Sequence, residues 1–166
     1  MSIFGRKGSG AESDPAEVSA GLRRLALNLT AASLGPAAPP NPPVIALLME
    51  SGMPSAAATL AGVADGTTSL YYSTGGGVIG AGNRPEIAAA THRWLQASGP
   101  FLEHLSPIGD PPLPAEGMVQ FVAVTPGGLL GAVAPIAELG ERRHALSPLF
   151  YAGHGVIAQI RLSQAA

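Results

Sequence analysis

Gly75, Gly77 and Gly80 stand in the order G-x-G-x-x-G, and Arg84 follows shortly after them. Glycines so spaced let backbone amides converge on an anion, and a cation at the start of a following helix adds its own charge. These four residues are therefore a candidate anion site. Their surroundings weigh against a dinucleotide, whose fingerprint belongs to a parallel strand–helix–strand unit. Here the strand before the glycines belongs to a hairpin, and the next helix starts only near Asn83. A bulged or closely packed turn explains the same glycines without a ligand.

Other residues offer less. His92, His104, His144 and His154 include no pair at i, i+4 and no HExxH, so no metal site is expected. His154 lies between Gly153 and Gly155, which reads as an ordinary partly buried histidine flanked by helix-packing glycines. Glu50 and Asp65 are the only charged residues between Val44 and Gly82. Asp65 is explained by a turn, whereas Glu50 ends an expected strand and is the better functional candidate; a solvent-exposed carboxylate is the plainer reading. Local spacing assembles no G-x-S-x-G elbow, phosphate loop, carboxylate pair or Ser/His/Asp set. A non-enzymatic protein without a cofactor is expected, although a triad assembled in space escapes such a reading.

The chain of 166 residues fits one domain with a tail. Its hydrophobic fraction of 46% is largely alanine and only 5% of residues are aromatic, so a thin aliphatic core around Trp94 is expected. A net charge of −2 provides no electrostatic footprint for nucleic acid. The absence of cysteine fits reducing and oxidising compartments alike. The opening MSIFGRKGSGAESD lacks the apolar run of a secretion signal. No apolar run approaches the roughly 20 residues of a bilayer span. A cytoplasmic location without stable membrane insertion follows; Ile3 and Phe4, beside Arg6 and Lys7, are too little apolar surface for attachment.

Residues 1–13 read as a flexible tail and 14–35 as an N-terminal helix, with Asp14 as cap, Pro15 at the first turn and Glu17 completing a capping box. Val18, Leu22, Leu25 and Leu29 form its expected buried stripe, with Arg23 and Arg24 outside it. Residues 36–43, rich in proline, form a stiff connector. An α+β domain follows over 44–163. Val44 to Met49 has the continuous apolar character of a strand buried on both faces. Ala57 to Ala64 and Thr67 to Ser73 flank Asp65-Gly66, which suits a two-residue type I′ turn. That register places Ala61, Val63, Leu70 and Tyr72 on one face, Leu60 and Tyr71 on the other. A second helix begins at Asn83 or Arg84, with Asn83 and Glu86 in capping-box spacing, and buries Ile87, Ala90, Trp94 and Leu95. Gly99-Pro100 interrupts it. Met118 to Val124 and Leu129 to Ile136 form a hairpin around Pro126-Gly127, a pair suited to a type II turn. Ser147 and Pro148 start a last helix with Leu149, Val156, Ile157 and Ile160 on its apolar side.

This order predicts an α+β fold of two layers: a mostly antiparallel five-stranded sheet packed with about three helices. In outline it is similar to the profilin-like class, including roadblock-type dimer modules, although three strands precede the middle helix and two follow, where the roadblock pattern has two and three. The stretches ADGTTSLYYSTGGGVIGAG and HALSPLFYAGHGVIAQIRL resemble a type of uncharacterised bacterial protein. That resemblance covers most of Val44 to Leu162 and implies no activity. The strands are apolar or small on both sides, so helices on one face leave a patch that marks a subunit or partner interface. A homo-oligomer or protein-partner module is expected, with Leu60, Tyr71 and Tyr72 as contact residues. Two alternatives stand beside it: the first helix covers the second face within the chain, or the Gly75 to Gly82 turn binds a small molecule or anion.

Overall fold

A computed structural model describes residues 14–165, and the expected tail, with Ile3 and Phe4, lies outside the described residues. Helix α1 (Pro15–Leu27) starts at the expected residues, the Asp14 side chain accepting from the Ala16 amide at 3.1 Å with Pro15 in the first turn, but without the expected capping box to Glu17. It ends eight residues earlier than the expected Gly35. Asn28 closes it, its side-chain amide donating to the Arg24 carbonyl at 2.7 Å and its backbone N–H turning onto the last-turn carbonyls. A short 3₁₀ turn over Ala31–Ser33 follows before the proline connector.

The strands are β1 (Ala46–Met53), β2 (Ala56–Val63), β3 (Thr68–Tyr72) and β4 (Gly77–Val78), then β5 (Ser106–Pro107), β6 (Met118–Thr125) and β7 (Gly128–Pro135). Helix α2 (Pro85–Ser98) separates the two groups, and α3 (Ile136–Gly140) and α4 (Ser147–Gln164) end the fold. All strand pairs are antiparallel, in the order β4-β3-β2-β1-β6-β7-β5. The sheet thus has seven strands where five were expected; the additional two, β4 and β5, are dipeptides that pair only at its edges. Two residues carry too little periodicity to read as a strand. The fourth helix, α3, is also short, at five residues.

Three layers replace the expected two. On one face, Leu47, Met49, Leu60, Leu70 and Phe121 pack beneath Ile87, Trp94, Leu149, Val156 and Ile160 of α2 and α4. On the other, Ile45, Leu48, Ala61, Val63, Val122 and Val124 pack beneath Ala26 and Leu27 of α1. A sheet whose strands are apolar on both sides needs cover on both sides, and here both covers come from the same chain.

The β2–β3 hairpin differs from its expected register by one residue. Val63 pairs with Thr67 through Val63 N to Thr67 O at 2.9 Å, and the Gly66 amide donates to the Val63 carbonyl at 2.9 Å. The loop therefore contains Ala64, Asp65 and Gly66, with Gly66 at φ +90°, a turn closed by a glycine bulge instead of a two-residue type I′ turn. Leu60 now opposes Leu70, and Thr59 opposes Tyr71. Because side chains alternate along a strand, the single-residue shift regroups the faces: Leu60 joins Leu70, and Ala61 and Val63 join Tyr71. Asp65 keeps its role in the turn, accepting from Thr67 N at 3.0 Å, and also accepts from Gly35 N at 2.9 Å, which ties the connector to the hairpin. Burial works to raise its pKa, but these hydrogen bonds outweigh it and hold the carboxyl below its ordinary range.

Two other local expectations are corrected. Asn83 does not cap α2; it ends a 3₁₀ turn over Ala81–Asn83, and Arg84, without a side-chain cap, precedes Pro85 at the first helical position. At the β6–β7 turn the positive φ falls on Gly128 (+126°) and not on Gly127, so the type II geometry is not formed. The buried faces of α2 and α4 contain the expected Ile87, Ala90, Trp94 and Leu95, and Leu149, Val156, Ile157 and Ile160.

Candidate functional site

Glu50 is fully buried, at 0% exposure, and β1 continues past it to Met53, so it is not the exposed strand-end carboxylate of the plainer reading. Sheet register explains its surroundings. Its cross-strand partners are Thr59 on β2 and Gln120 on β6. Thr59 Oγ1 donates to Glu50 Oε2 at 2.8 Å, and Gln120 Nε2 donates to Oε1 at 3.1 Å. From above, α1 lowers Arg23, whose Nε and Nη2 donate to Oε2 and Oε1, each at 2.8 Å. This bidentate fork is the strong geometry for an arginine–carboxylate pair. Arg23 Nη2 also donates to the Pro111 carbonyl at 2.8 Å, and Gln120 Nε2 to that of Pro112 at 2.9 Å. One buried carboxylate thus joins α1, three adjacent strands of the sheet and the proline loop. The Glu50 hydrogen bond holds the Arg23 guanidinium above its ordinary pKa, against the opposing effect of burial.

A carboxylate offers about four acceptor positions, and all four on Glu50 are taken by Arg23, Thr59 and Gln120. No lone pair is left to take a proton from a substrate, which makes the cluster an anchor and not a general base. Tyr71 stands beside it, 3% exposed, and its hydroxyl has no partner among the described residues. Burial first, and then the Glu50 charge, push the phenol pKa up, so the group stays neutral and remains a donor. Leaving such a donor unpaired costs about 1–3 kcal/mol. A cleft of about 230 Å³ opens there, lined by Ser19, Arg23, Thr59, Tyr71, Ser73 and Asp110 among others.

The glycine cluster is a closely packed turn. Gly77 pairs with Tyr71 in the β3–β4 ladder. The amides of Gly75, Asn83 and Arg84 donate to the carbonyls of Tyr72, Gly80 and Ala81, and that of Gly80 to Ser69 Oγ. These amides are occupied within the turn, and Arg84 lies 4.0 Å from Glu86 on the surface. Gly82 is required by contact: a Cβ there would stand 2.0 Å from the Gly66 carbonyl oxygen. Gly82→Ala is expected to cost about 1–3 kcal/mol by overpacking. Gly76→Ala, where a Cβ meets nothing within 4 Å and only the φ of +82° resists, is expected to cost about 1–2 kcal/mol. Urea unfolding of the two variants checks the order.

The histidines do not come together, and no group of metal-binding side chains exists among the described residues. His144 Nδ1 accepts from Leu146 N at 3.0 Å just before α4. His154 stacks edge-on against Phe150, and burial, then Arg161, lower its pKa. Gly153 has the expected helix-packing role, facing Met49 and Trp94, whereas Gly155 faces open space. Of the expected contact residues, Leu60 lies under α2 and α4 and Tyr71 under α1, so neither offers a face to a protein partner; Tyr72 is half-buried.

The helix α1 reveals what the sequence reading missed. Its inward side carries Ser19, Arg23, Ala26 and Leu27, while Val18 and Leu25, expected to be buried, are 47% and 69% exposed. Leu22 and Leu29 reach the core only partly. Arg23, four residues from Ser19 and from Leu27, marks the inward stripe by helical spacing; the only signal for its burial was the isolated Glu50. Among the described residues no helix is long and apolar enough to cross a membrane. No family model, curated protein or solved structure matches this chain.

Proposed function

We propose that this chain is a non-enzymatic interaction module that pairs with a second copy of itself through the outer face of α1. The observation that carries this reading is the stripe of Val18, Gly21, Leu22 and Leu25, which lines an open groove of about 510 Å³ on a helix whose opposite side is anchored by Arg23. Both sheet faces are covered within the chain, so the expected contact surface moves from the sheet to the helix. Gly21 fits this role. Glycine inside a helix costs about 1 kcal/mol relative to alanine, and a Cβ there would meet only Arg24 Nη2 at 3.8 Å, so no contact among the described residues requires it. A missing side chain between Val18 and Leu25 lets another backbone approach closely. In an antiparallel crossing of two such helices, Glu17 near one end faces toward Arg24 near the other, and a two-fold axis makes the contact self-complementary.

Sedimentation of the full chain tests the proposal. A dimeric mass at high concentration is expected, with Leu25→Glu reducing it to that of the monomer while leaving the unfolding midpoint nearly unchanged. A monomeric wild-type protein at high concentration overturns the reading.

A further inference from the structure

We propose that the cleft beneath α1 binds a small monocarboxylate, with the Tyr71 hydroxyl as its buried donor. The inference goes beyond self-association and uses a different part of the molecule. Tyr71 lines the cleft, is almost wholly buried, and its hydroxyl has no acceptor among the described residues. Its charged neighbour cannot supply one, because the four acceptor positions of Glu50 are already filled by Arg23, Thr59 and Gln120. An acceptor in the cleft that reached the hydroxyl would satisfy it.

The remaining lining selects its charge and size. Arg23 uses Nε and Nη2 within the chain, and its Nη1 has no acceptor among the described residues. Arg24 stands at the same cleft. Ser73 Oγ accepts from the Ala57 amide at 2.8 Å, which leaves its proton free to donate. Donors on Tyr71, Arg23 and Ser73 suit a carboxylate, while Asp110, the one acidic residue in the lining, disfavours a second negative charge. Leu113, Ala16 and Ala20 provide apolar wall for a short hydrocarbon stub. At about 230 Å³ the cleft is smaller than the roughly 300–1,000 Å³ typical of drug-sized ligands, so the occupant has only a few heavy atoms.

Calorimetric titration of the full chain with acetate, propionate, glycine, succinate and inorganic phosphate tests this. Saturable binding of acetate or propionate is expected, with succinate and phosphate weaker. Glycine binding as well would identify the source as amino acids, whose ammonium group faces Asp110, and its failure would identify simple acids. Tyr71→Phe removes the donor while keeping the ring, and is expected to weaken binding about tenfold, the value of one hydrogen bond. Without ligand the variant is expected to melt at or above the wild-type temperature, because it deletes an unpaired group. Absence of saturable binding by any monocarboxylate, equal binding by Tyr71→Phe, or a lower melting temperature of the ligand-free variant, as a trapped water would cause, each overturns the proposal. The mass measurement that tests self-association is independent of all three outcomes.

Discussion

Arg23→Met is expected to lower unfolding stability by about 3–5 kcal/mol, the cost of leaving a buried carboxylate without its partner. Glu50 is 0% exposed and Arg23 only 15%, so solvent offers the orphaned charge little relief. Thr59 and Gln120 still donate to it, but neutral donors do not replace a guanidinium. A buried pair is nevertheless no proof of net stabilisation, since both ions were taken out of water to form it. The combination Arg23→Met, Glu50→Leu and Thr59→Val removes both charges and the hydroxyl that Glu50 accepted, and is expected to recover most of the loss. Urea unfolding measures both variants. A single variant within about 1 kcal/mol of wild type would mean that Ala26 and Leu27 hold α1 without the ion pair. Hydrogen exchange adds the location, because loss of protection concentrated in α1 would show the helix leaving the sheet before the fold opens as a whole.

Trp94→Ala is expected to cost a similar amount, about 3–5 kcal/mol, for a different reason. The indole is 1% exposed and donates from Nε1 to the Leu149 carbonyl at 3.3 Å. Two glycines form its seat: a Cβ at Gly62 of β2 would lie 3.1 Å from the ring, and one at Gly153 of α4 would lie 3.3 Å from Cε2. Neither glycine has a side chain to move into the space that alanine would leave. The cavity therefore persists, and the penalty falls in the upper part of the range for large-to-small changes. Trp94→Phe retains most of the ring and is expected to lose clearly less. Trp94 is the only tryptophan, so circular dichroism must report the unfolding. An alanine variant with nearly wild-type stability would show that α2 and α4 close over the gap.

Much of this architecture was legible from local pattern. The period-3.6 stripes of α2 and α4 identified their buried residues, and the apolar run from Val44 identified a strand covered on both sides. The three long helices and five long strands follow from such signals. The candidate site was legible only as an unexplained isolated charge, Glu50, without its partners. Arg23 is separated from it by 27 positions and Gln120 by 70, and no local period links residues that far apart. The hydrophobic stripe of α1 was misleading for the same reason. Counting apolar residues placed Val18 and Leu25 inside, whereas a buried carboxylate on the sheet demands a cation and turns Arg23 toward it.

The chain's own residue order, then, determined the long elements, the presence of two apolar sheet faces and the hairpin at Asp65-Gly66. Tertiary structure alone decided the register of that hairpin, which face Tyr71 shares with Ala61 and Val63, the rotation of α1 and the burial of Glu50. The division has one physical cause. Helical and strand periods are set by neighbours along the backbone, whereas the number of loop residues absorbed by a glycine at positive φ, and the partner of a buried charge, depend on what packs across the sheet. The glycine turn packs closely against its neighbours, and Glu50, an isolated charge in the sequence, is the point at which helix, sheet and loop are joined.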